Sequence, residues 1–240
     1  MNDFSIMKTE KLTMRFGSVV AVDGVDFSIR EGELRCLIGP NGAGKSTFFK
    51  LLTGQLVPSS GTVRFKKRPI SGRSVAEIAN AGIGIKTQVP SVFDKLSVAA
   101  GIELAAARKL PSELAKKRTE EVLERVGITA LAKSHVGELA HGQRQLVELA
   151  MVVAPAPDLI LLDEPAAGMT GSEVEHIGEL IVELARSSAV VVVEHDMEFI
   201  QRIAQSVTVF NQGAILTEGP VEKVLADPRV QDVYLGKAAA

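Results

Sequence analysis

Residues 34–47 read LRCLIGPNGAGKST, so that a mostly apolar run leads directly into a glycine-rich turn. The turn matches the spacing Gly-x-x-x-x-Gly-Lys-Ser, which ends at Lys45 and Ser46. Glycines in such a turn let backbone N–H groups point inward around phosphates, and the helix that follows directs its positive end at the same place. The pattern therefore predicts a strand, a phosphate-binding loop and a helix over residues 45–53.

The predicted loop residues form one uninterrupted stretch: Gly39, Pro40, Asn41, Gly42, Ala43, Gly44, Lys45, Ser46 and Thr47. Lys45 is expected to reach the β- and γ-phosphates of a nucleotide, Ser46 to ligate Mg²⁺, and Thr47 to face the α-phosphate. The alternative is a chance glycine-rich turn between a strand and a helix. The correct flanking patterns on both sides argue against that alternative.

Two later apolar strands end in acidic or imidazole side chains. Residues 159–165 read LILLDEP, which predicts Asp163 beside the metal, through water, and leaves Glu164 free to polarise an attacking water as general base. Residues 192–196 read VVEHD, and we expect His195 to donate to the γ-phosphate and to orient Glu164. Alone, the acidic strand end can be a plain exposed turn, and a strand-end histidine is more often structural. The phosphate loop favours the catalytic interpretation of both.

The composition limits the classes of partner. The chain has 240 residues, of which 46% are hydrophobic, so it can bury a sizeable core. With 27 basic and 29 acidic residues, the net charge of −2 gives no global positive field, and we expect no nucleic-acid partner. Cys36 lies in an apolar run, which predicts a small buried side chain rather than a reactive thiol. No leading apolar stretch is visible, and no run approaches the ~20 residues that span a bilayer, so we expect a cytoplasmic chain.

The order of patterns predicts one α/β domain over residues 1–240. Short β-prone segments fill the first third, and residues 96–154 carry Leu, Ala, Glu, Lys and Arg at helical spacing. Strand and helix patterns then alternate, which implies a parallel sheet with covering helices. We therefore predict a nucleotide-binding core at 1–95 and 155–240 and an inserted helical lobe at 96–154. In that architecture ligands bind at the carboxyl ends of the strands.

A short stretch ahead of the acidic strand narrows the class of nucleotide-binding protein. Residues 139–143 read LAHGQ and open a predicted helix, which resembles the Leu-Ser-Gly-Gly-Gln signature of the ABC ATPase family. Phe16, Gln88 and residues 167–170, which read AGMT, fall in order at other motif positions of that family. The resemblance covers essentially the whole chain.

The resemblance implies the ABC ATPase fold: a P-loop NTPase core with a parallel sheet, an N-terminal antiparallel β subdomain and an inserted helical lobe. It implies ATP and Mg²⁺ as ligands, with Phe16 stacking on adenine and Gln88 linking core to lobe. It also implies a head-to-tail dimer with a second ATPase subunit, of the same or a related chain. Each ATP is then held between the phosphate loop of one subunit and the signature of the other.

The residues that motif and resemblance assign fall into three sets. The catalytic set is Lys45, Gln88, Glu164 and His195. The metal set is Ser46, Gln88 and Asp163. The ATP-binding set adds the signature residues Ala140, His141, Gly142 and Gln143 to Phe16 and the loop.

Three positions depart from the commonest pattern of the family. Ala140 replaces the signature serine, so a hydroxyl that would hydrogen-bond the γ-phosphate across the interface is absent, at a cost of about 1–2 kcal/mol. His141 replaces the first signature glycine and is either a compensating donor or a tolerated surface side chain. Thr170 stands where many members carry Asp. We therefore expect measurable but slow ATPase activity.

A finer resemblance is to the ATPase subunits of bacterial uptake systems for branched-chain amino acids, and most of all to their urea, or short-amide, branch. Residues 87–93 (TQVPSVF), 194–197 (EHDM) and 233–236 (VYLG) support it, whereas Ile85 and Thr87 depart from the basic and aromatic residues usual there. It implies membrane permease subunits as partners, a solute-binding protein as an indirect partner, and a place on the inner face of the cell membrane.

Residues 89–93 are apolar and follow Gln88 directly. We expect this segment to form a groove that accepts a short helix of the permease, and a buried loop is the alternative. The sequence does not identify the transported solute, because the same ATP-hydrolysing domain occurs in transporters of many different solutes.

Three other functions compete with solute uptake. The first is an ABC ATPase that drives export or lipid extraction. The second is a soluble ABC protein of translation or DNA repair, which usually carries a second cassette, a coiled-coil insertion or strongly basic stretches. The third is a non-hydrolysing regulator, which the intact Lys45, Asp163, Glu164 and His195 disfavour.

Overall fold

The computed structural model describes residues 5–88 and 93–235 of the chain. The strands are β1 (Ser5–Phe16), β2 (Val19–Arg30), β3 (Leu34–Ile38), β4 (Ser60–Phe65), β5 (Arg68–Pro69), β6 (Ile83–Lys86), β7 (Leu159–Asp163), β8 (Ala189–Val193), β9 (Ser206–Asn211) and β10 (Ala214–Pro220). The helices are α1 (Lys45–Leu52), α2 (Val75–Ala81), α3 (Val98–Ala106), α4 (Ser112–Val126), α5 (His141–Val153), α6 (Gly171–Leu184), α7 (Met197–Ile203), α8 (Val221–Leu225) and α9 (Pro228–Leu235).

The strands form two sheets. One is antiparallel, in the order β2-β1-β4-β5, and the other has the order β10-β9-β3-β8-β7-β6. In the larger sheet β3 pairs parallel with both β8 and β9, and β7 pairs parallel with both β8 and β6, whereas β10 returns antiparallel to β9. The predicted α/β class, with a parallel sheet and an N-terminal antiparallel subdomain, is confirmed. The carboxyl ends of β3, β7 and β8 therefore meet at one edge.

Both faces of the larger sheet are buried, which explains why its strands are continuous apolar runs. Successive side chains point to opposite faces, so Cys36 belongs to one core cluster and Leu37 to the other. The first cluster packs the sheet against α3–α7, and the second packs it against α1 and the antiparallel sheet. Cys36 is fully buried, as its apolar surroundings predicted.

Two elements near Gln88 were not predicted from the sequence. Strand β6 has only four residues and includes Gly84 and Lys86, so it lacks the apolar run that marks the other central strands. Helix α2 has seven residues, and a capping box between Ser74 and Glu77 stabilises its start. Such short elements depend on tertiary packing more than on local pattern.

Helices α3, α4 and α5 pack on one another and share the first core cluster through Ile102, Val122 and Leu146. Pro111 precedes α4 as its N-cap residue. The division into core and lobe stays a prediction. Among the described residues, none of the helices combines the length and apolar character that a membrane span requires.

Leu123 and Leu114 provide a matched test of this packing, because both lie on α4 and their exposures are 5% and 53%. We expect Leu123→Ala to lower the free energy of unfolding by about 2–4 kcal/mol, since it removes buried methyl groups and leaves a cavity. The control Leu114→Ala changes helix propensity equally and should cost less than about 1 kcal/mol. Equal losses in urea denaturation would contradict the packing of α4 described above.

Candidate functional site

The glycine-rich loop joins the carboxyl end of β3 to the start of α1. A Cβ on Gly39 would lie 2.2 Å from the carbonyl oxygen of Phe210, and a Cβ on Gly44 would lie 2.4 Å from that of Ala21. Both glycines also have positive φ angles, 147° and 103°, which residues with side chains rarely adopt. Close backbone contact with β9 and β2 therefore requires glycine at these two positions and fixes the path of the loop.

The outer part of the loop faces solvent. Asn41, Gly42 and Ser46 are exposed, and Thr47 is half-buried. Helix α1 begins at Lys45, so its first N–H groups open onto the loop. The arrangement offers backbone donors and a helix N-terminus to an anionic ligand.

Lys45 folds back across the loop. Its Nζ donates to the carbonyl oxygens of Gly39 and Pro40, at 2.5 and 3.2 Å. Burial lowers the pKa of Lys45, against the opposing effect of the nearby Glu164 and Asp163 carboxylates. The ammonium group thus lies between the loop backbone and the acidic end of β7, where its charge is available to a phosphate.

The Glu164 carboxylate lies between Gln88 and His195. Gln88 Nε2 donates to Oε2 of Glu164 at 3.1 Å, and Nδ1 of His195 lies 3.5 Å from Oε1. Residues from the ends of β6, β7 and β8 therefore converge on one carboxylate. The separation of Gln88 from Glu164 along the chain is 76 residues, so only the sheet order brings the two together.

Glu164 has a left-handed backbone conformation, with φ of 48°, which is uncommon for a residue with a long side chain. Its N–H donates to the carbonyl oxygen of Val193 at 3.0 Å, which holds the strained turn against β8. Strain of this kind persists where the surrounding structure fixes it, and it is found most often at functional sites.

Asp163 is the last residue of β7 and is 8% exposed. Burial raises the pKa of Asp163, and the Glu164 carboxylate raises it further, against the opposing effect of nearby lysines. A bound cation would reverse this balance and favour the ionised carboxylate.

The residues expected at the metal are Ser46, Gln88 and Asp163, which offer a hydroxyl, an amide oxygen and, through water, a carboxylate. These are hard oxygen donors, and Mg²⁺ is usually held by one or two carboxylates with waters and phosphate oxygens. Within residues 5–88 and 93–235, His, Cys, Asp and Glu side chains form no group of three or more that could hold a metal by itself. The donor set fits Mg²⁺ bound together with a nucleotide.

Glu194 was not assigned a role from the sequence, although it lies in the quoted VVEHD stretch. It is 3% exposed and accepts hydrogen bonds from the N–H groups of His195 and Ala166, at 3.1 and 3.5 Å. These bonds connect the turn after β7 to the end of β8. A carboxylate at the end of an otherwise apolar strand was the signal in the sequence.

The signature residues lie at the start of α5 and contact the residues just before and within α6. Nε2 of His141 lies 2.9 Å from the carbonyl oxygen of Ala167, and the Glu173 carboxylate lies against Gly142. Gln143 accepts a hydrogen bond from the N–H of Ala140 at 3.1 Å. Ala140 caps the helix without a side-chain oxygen.

Phe16, the expected adenine contact, is 48% exposed at the end of β1.

Two family models match this chain. The family model described as ABC transporter matches residues 22–167. The chain belongs to the ABC transporter family. It is an ATP-hydrolysing subunit of such a transporter, as the sequence predicted. A second model, described as branched-chain amino acid ATP-binding cassette transporter, matches residues 214–240.

Two curated relatives have equal sequence identity to this chain but different functions. The high-affinity branched-chain amino acid transport ATP-binding protein LivG of Salmonella typhimurium is 33% identical, over 97% of this chain and 98% of its own length. The lipopolysaccharide export system ATP-binding protein LptB of Acidithiobacillus ferridurans is also 33% identical, over 96% of this chain and 97% of its own length.

Two solved structures share the fold. The ADP conformation of MJ1267, an ATP-binding cassette of an ABC transporter, has a TM-score of 0.85 at 29% identity and covers 97% of this chain and 99% of its own. The dimeric post-hydrolysis structure of the cassette MJ0796, bound to ADP and Pi, has a TM-score of 0.80 at 25% identity over 90% of this chain and 98% of its own. The ABC ATPase fold and nucleotide binding are therefore established for this chain's relatives.

Glu194 provides a test of the site's electrostatics. Burial raises the pKa of Glu194, so the folded state holds its proton to higher pH than the unfolded state does. The stability from this protonation is present below the unfolded pKa and is lost as pH rises through the folded pKa. Glu194→Gln removes that loss. We subtract the unfolding free energy of the variant from that of wild type. We expect this difference to fall as pH rises above the ordinary glutamate pKa of about 4.3, by at most about 1.4 kcal/mol per pH unit.

The measurement is urea denaturation of both proteins at a series of pH values. The control Glu179→Gln changes an exposed carboxylate on α6 and should give a difference that hardly changes with pH. A pH-independent difference for Glu194→Gln would contradict the burial effect.

Proposed function

We propose that Glu164 is the general base of this ATPase. The observation that carries the proposal is the position of its carboxylate, in hydrogen-bond contact with Gln88 and 3.5 Å from His195. The carboxylate accepts a proton from the attacking water as the new P–O bond forms and the bond from the γ-phosphorus to the bridging oxygen breaks. Gln88 and His195 hold the base in place, and His195 also donates to the γ-phosphate.

The remaining residues bind and orient the nucleotide. Lys45 neutralises the β- and γ-phosphates once its ammonium turns from the loop carbonyls to the ligand. Ser46, Gln88 and Asp163 hold Mg²⁺, which when bound supplies positive charge to the phosphate oxygens. Phe16 stacks on the adenine from the end of β1, where almost half of its surface is free.

We propose that two such subunits pair head to tail over ATP. The start of α5 supports this, because its N–H groups and helix dipole form a second anion-binding end at Gly142. The dimeric state of the related MJ0796 cassette is consistent with the pairing. His141 is tied to Ala167 of its own chain, which favours a role in positioning the signature over direct donation across the interface. Slow turnover, expected from Ala140, stays a prediction.

A permease is the proposed membrane partner, and it places the chain at the inner face of the cell membrane. A cavity of about 400 Å³ lies between α2, β6, α3 and α5. Its rim carries the exposed apolar side chains Val75, Phe93 and Leu104. Of the segment predicted to receive the permease helix, residues 89–92 lie outside the described ranges, and Phe93 lines the cavity. The groove is apolar and open, as a docked amphipathic helix requires.

Uptake of a branched-chain amino acid, urea or a short amide is the proposed transport function, with a solute-binding protein as the indirect partner. The match of residues 214–240 to the branched-chain amino acid transporter model supports uptake. The similarity to LivG over nearly the full length of both chains points the same way. The urea branch rests only on the sequence resemblance of residues 87–93, 139–143, 167–170, 194–197 and 233–236.

Export is the alternative function. The similarity to LptB is as high in identity as the similarity to LivG. The choice between uptake and export depends on the permease with which the chain assembles.

Glu164→Gln tests the assignment of the base. We expect the variant to bind ATP and Mg²⁺ as wild type does, to lose turnover by about 10²–10⁴-fold, and to accumulate as an ATP-bound dimer in size-exclusion chromatography. The control Glu179→Gln changes an exposed carboxylate on α6 and should keep wild-type turnover. Full activity of Glu164→Gln would rule out Glu164 as the base.

Leu104→Asp tests the permease groove. Leu104 lines the cavity and is 55% exposed, whereas Leu114 on α4 is 53% exposed and is not among the residues that line it. We expect Leu104→Asp to abolish co-purification of the permease from detergent-solubilised native membranes, and Leu114→Asp to retain it. Mass spectrometry of the wild-type complex identifies the membrane subunits. A solute-binding protein that co-purifies with this complex would support uptake. Lipopolysaccharide-transport subunits in the complex would overturn uptake in favour of export.

A further inference from the structure

A buried ion pair joins β6 to helix α5. Nζ of Lys86 lies 3.4 Å from Oε2 of Glu148, and the two side chains are only 2% and 7% exposed. Lys86 is the last residue of β6 and stands two residues before Gln88. Glu148 lies in the middle of the helix that begins at the signature. The pair therefore connects the strand that carries Gln88 to the signature helix.

A second ion pair joins the same helix to the chain beyond Gln88. Arg144 contacts the carboxylate of Asp94, with side chains that are 29% and 64% exposed. Arg144 and Glu148 are four residues apart on α5, so they lie one above the other on one face of the helix. Lys86, two residues before Gln88, and Asp94, six residues after it, are thus both attached to α5.

Stability does not explain the buried pair. Burying two charges costs several kcal/mol per ion, and a well-packed apolar pair of similar volume is usually as stable or more stable. The Oε1 atom of Glu148 is also buried without a hydrogen-bond partner among the described residues. In some proteins a buried ion pair instead fixes the relative position of the two elements that it joins.

Gln88 in turn contacts the Glu164 carboxylate through its 3.1 Å hydrogen bond, so the position of β6 relative to α5 affects this bond. The register of the sheet supports the same path, because Lys86 pairs with Leu162, the residue before Asp163. A shift of α5 that carried Lys86 with it would therefore move the Gln88 amide relative to Glu164.

We propose that the Lys86–Glu148 and Asp94–Arg144 ion pairs are a positioning device for hydrolysis, which ties the placement of Gln88 on Glu164 to the placement of the signature helix. The inference rests on the proposed role of Glu164 and extends it. The four residues act through Gln88 and do not touch the nucleotide. Breaking either pair lowers turnover while nucleotide binding at the phosphate loop remains.

The exposed pair gives the first test, because changes at Asp94 and Arg144 leave the core intact. We expect Asp94→Arg and Arg144→Asp each to lower kcat of the full-length ATPase at least fivefold, with KM for ATP within twofold of wild type. The charge-exchanged double variant Asp94→Arg/Arg144→Asp should return kcat to within twofold of wild type. Single-variant losses without recovery in the double variant, or no loss at all, would overturn the proposal.

Arg125 and Glu183 form the matched control. Their ion pair joins α4 to α6 at 2.8 Å, with side chains that are 27% and 45% exposed, and it lies away from Gln88 in the chain. Arg125→Asp and Glu183→Arg should leave kcat unchanged. A fall in kcat equal to that of Asp94→Arg would show a general structural effect and overturn the proposal.

The buried pair gives the second test. We expect Lys86→Met/Glu148→Leu to unfold at a temperature equal to or above that of wild type, because the replacement is apolar. Its kcat should nevertheless fall about tenfold, which a purely structural pair would not cause. Wild-type kcat in this variant would overturn the proposal, and if the variant does not fold, the exposed pair decides.

The outcome is separable from that of Glu164. If Glu164→Gln keeps full turnover, the assignment of the base fails and this inference fails with it. If Glu164→Gln abolishes turnover while the ion-pair variants behave as wild type, only the positioning device is excluded.

Discussion

The meeting of three parallel strand ends at one edge of the larger sheet is the constraint on which the rest of this structure depends. Strand β3 delivers the phosphate loop, β7 delivers Asp163 and Glu164, and β8 delivers Glu194 and His195. Because parallel strands share a direction, their carboxyl ends have to lie together. The fully buried apolar strands hold this edge in place, and the polar residues at their ends form the proposed site.

Charge inside the domain is concentrated around that edge. Asp163, Glu194, Lys86 and Glu148 are all buried, and burial shifts the pKa of the first two upward and that of Lys86 downward. Such groups are costly in the folded state, and they are found where function needs defined charges. The strained backbone of Glu164 belongs to the same picture. The domain thus gives up stability at the place where we propose that ATP is hydrolysed.

Similar ATPase subunits occur in transporters with opposite directions of transport. The similarity to LivG and to LptB extends over nearly the whole chain in both cases, so the nucleotide site does not distinguish uptake from export. The proposed determinants of direction lie outside the site: the apolar cavity beside Phe93 and Leu104, and the C-terminal residues 214–240, which match the branched-chain amino acid transporter model. In the proposed transporter, subunits other than this ATPase select the solute.

The sequence by itself determined the elements that have local signals. Four signals each follow from spacing within a few residues: the glycine loop, the acidic end of β7, the histidine after β8 and the continuous apolar runs of the central strands. Together they predicted the α/β fold. Only the tertiary structure decided the contacts between distant segments: the Gln88 bond to Glu164, the buried Glu194, and the attachment of Lys86 and Asp94 to α5. The physical reason is that β6 is short and polar at its end, so nothing in its own sequence shows that it is a sheet strand. Its neighbours in space, α5 and β7, begin 55 and 73 residues after its last residue and fix its place through packing.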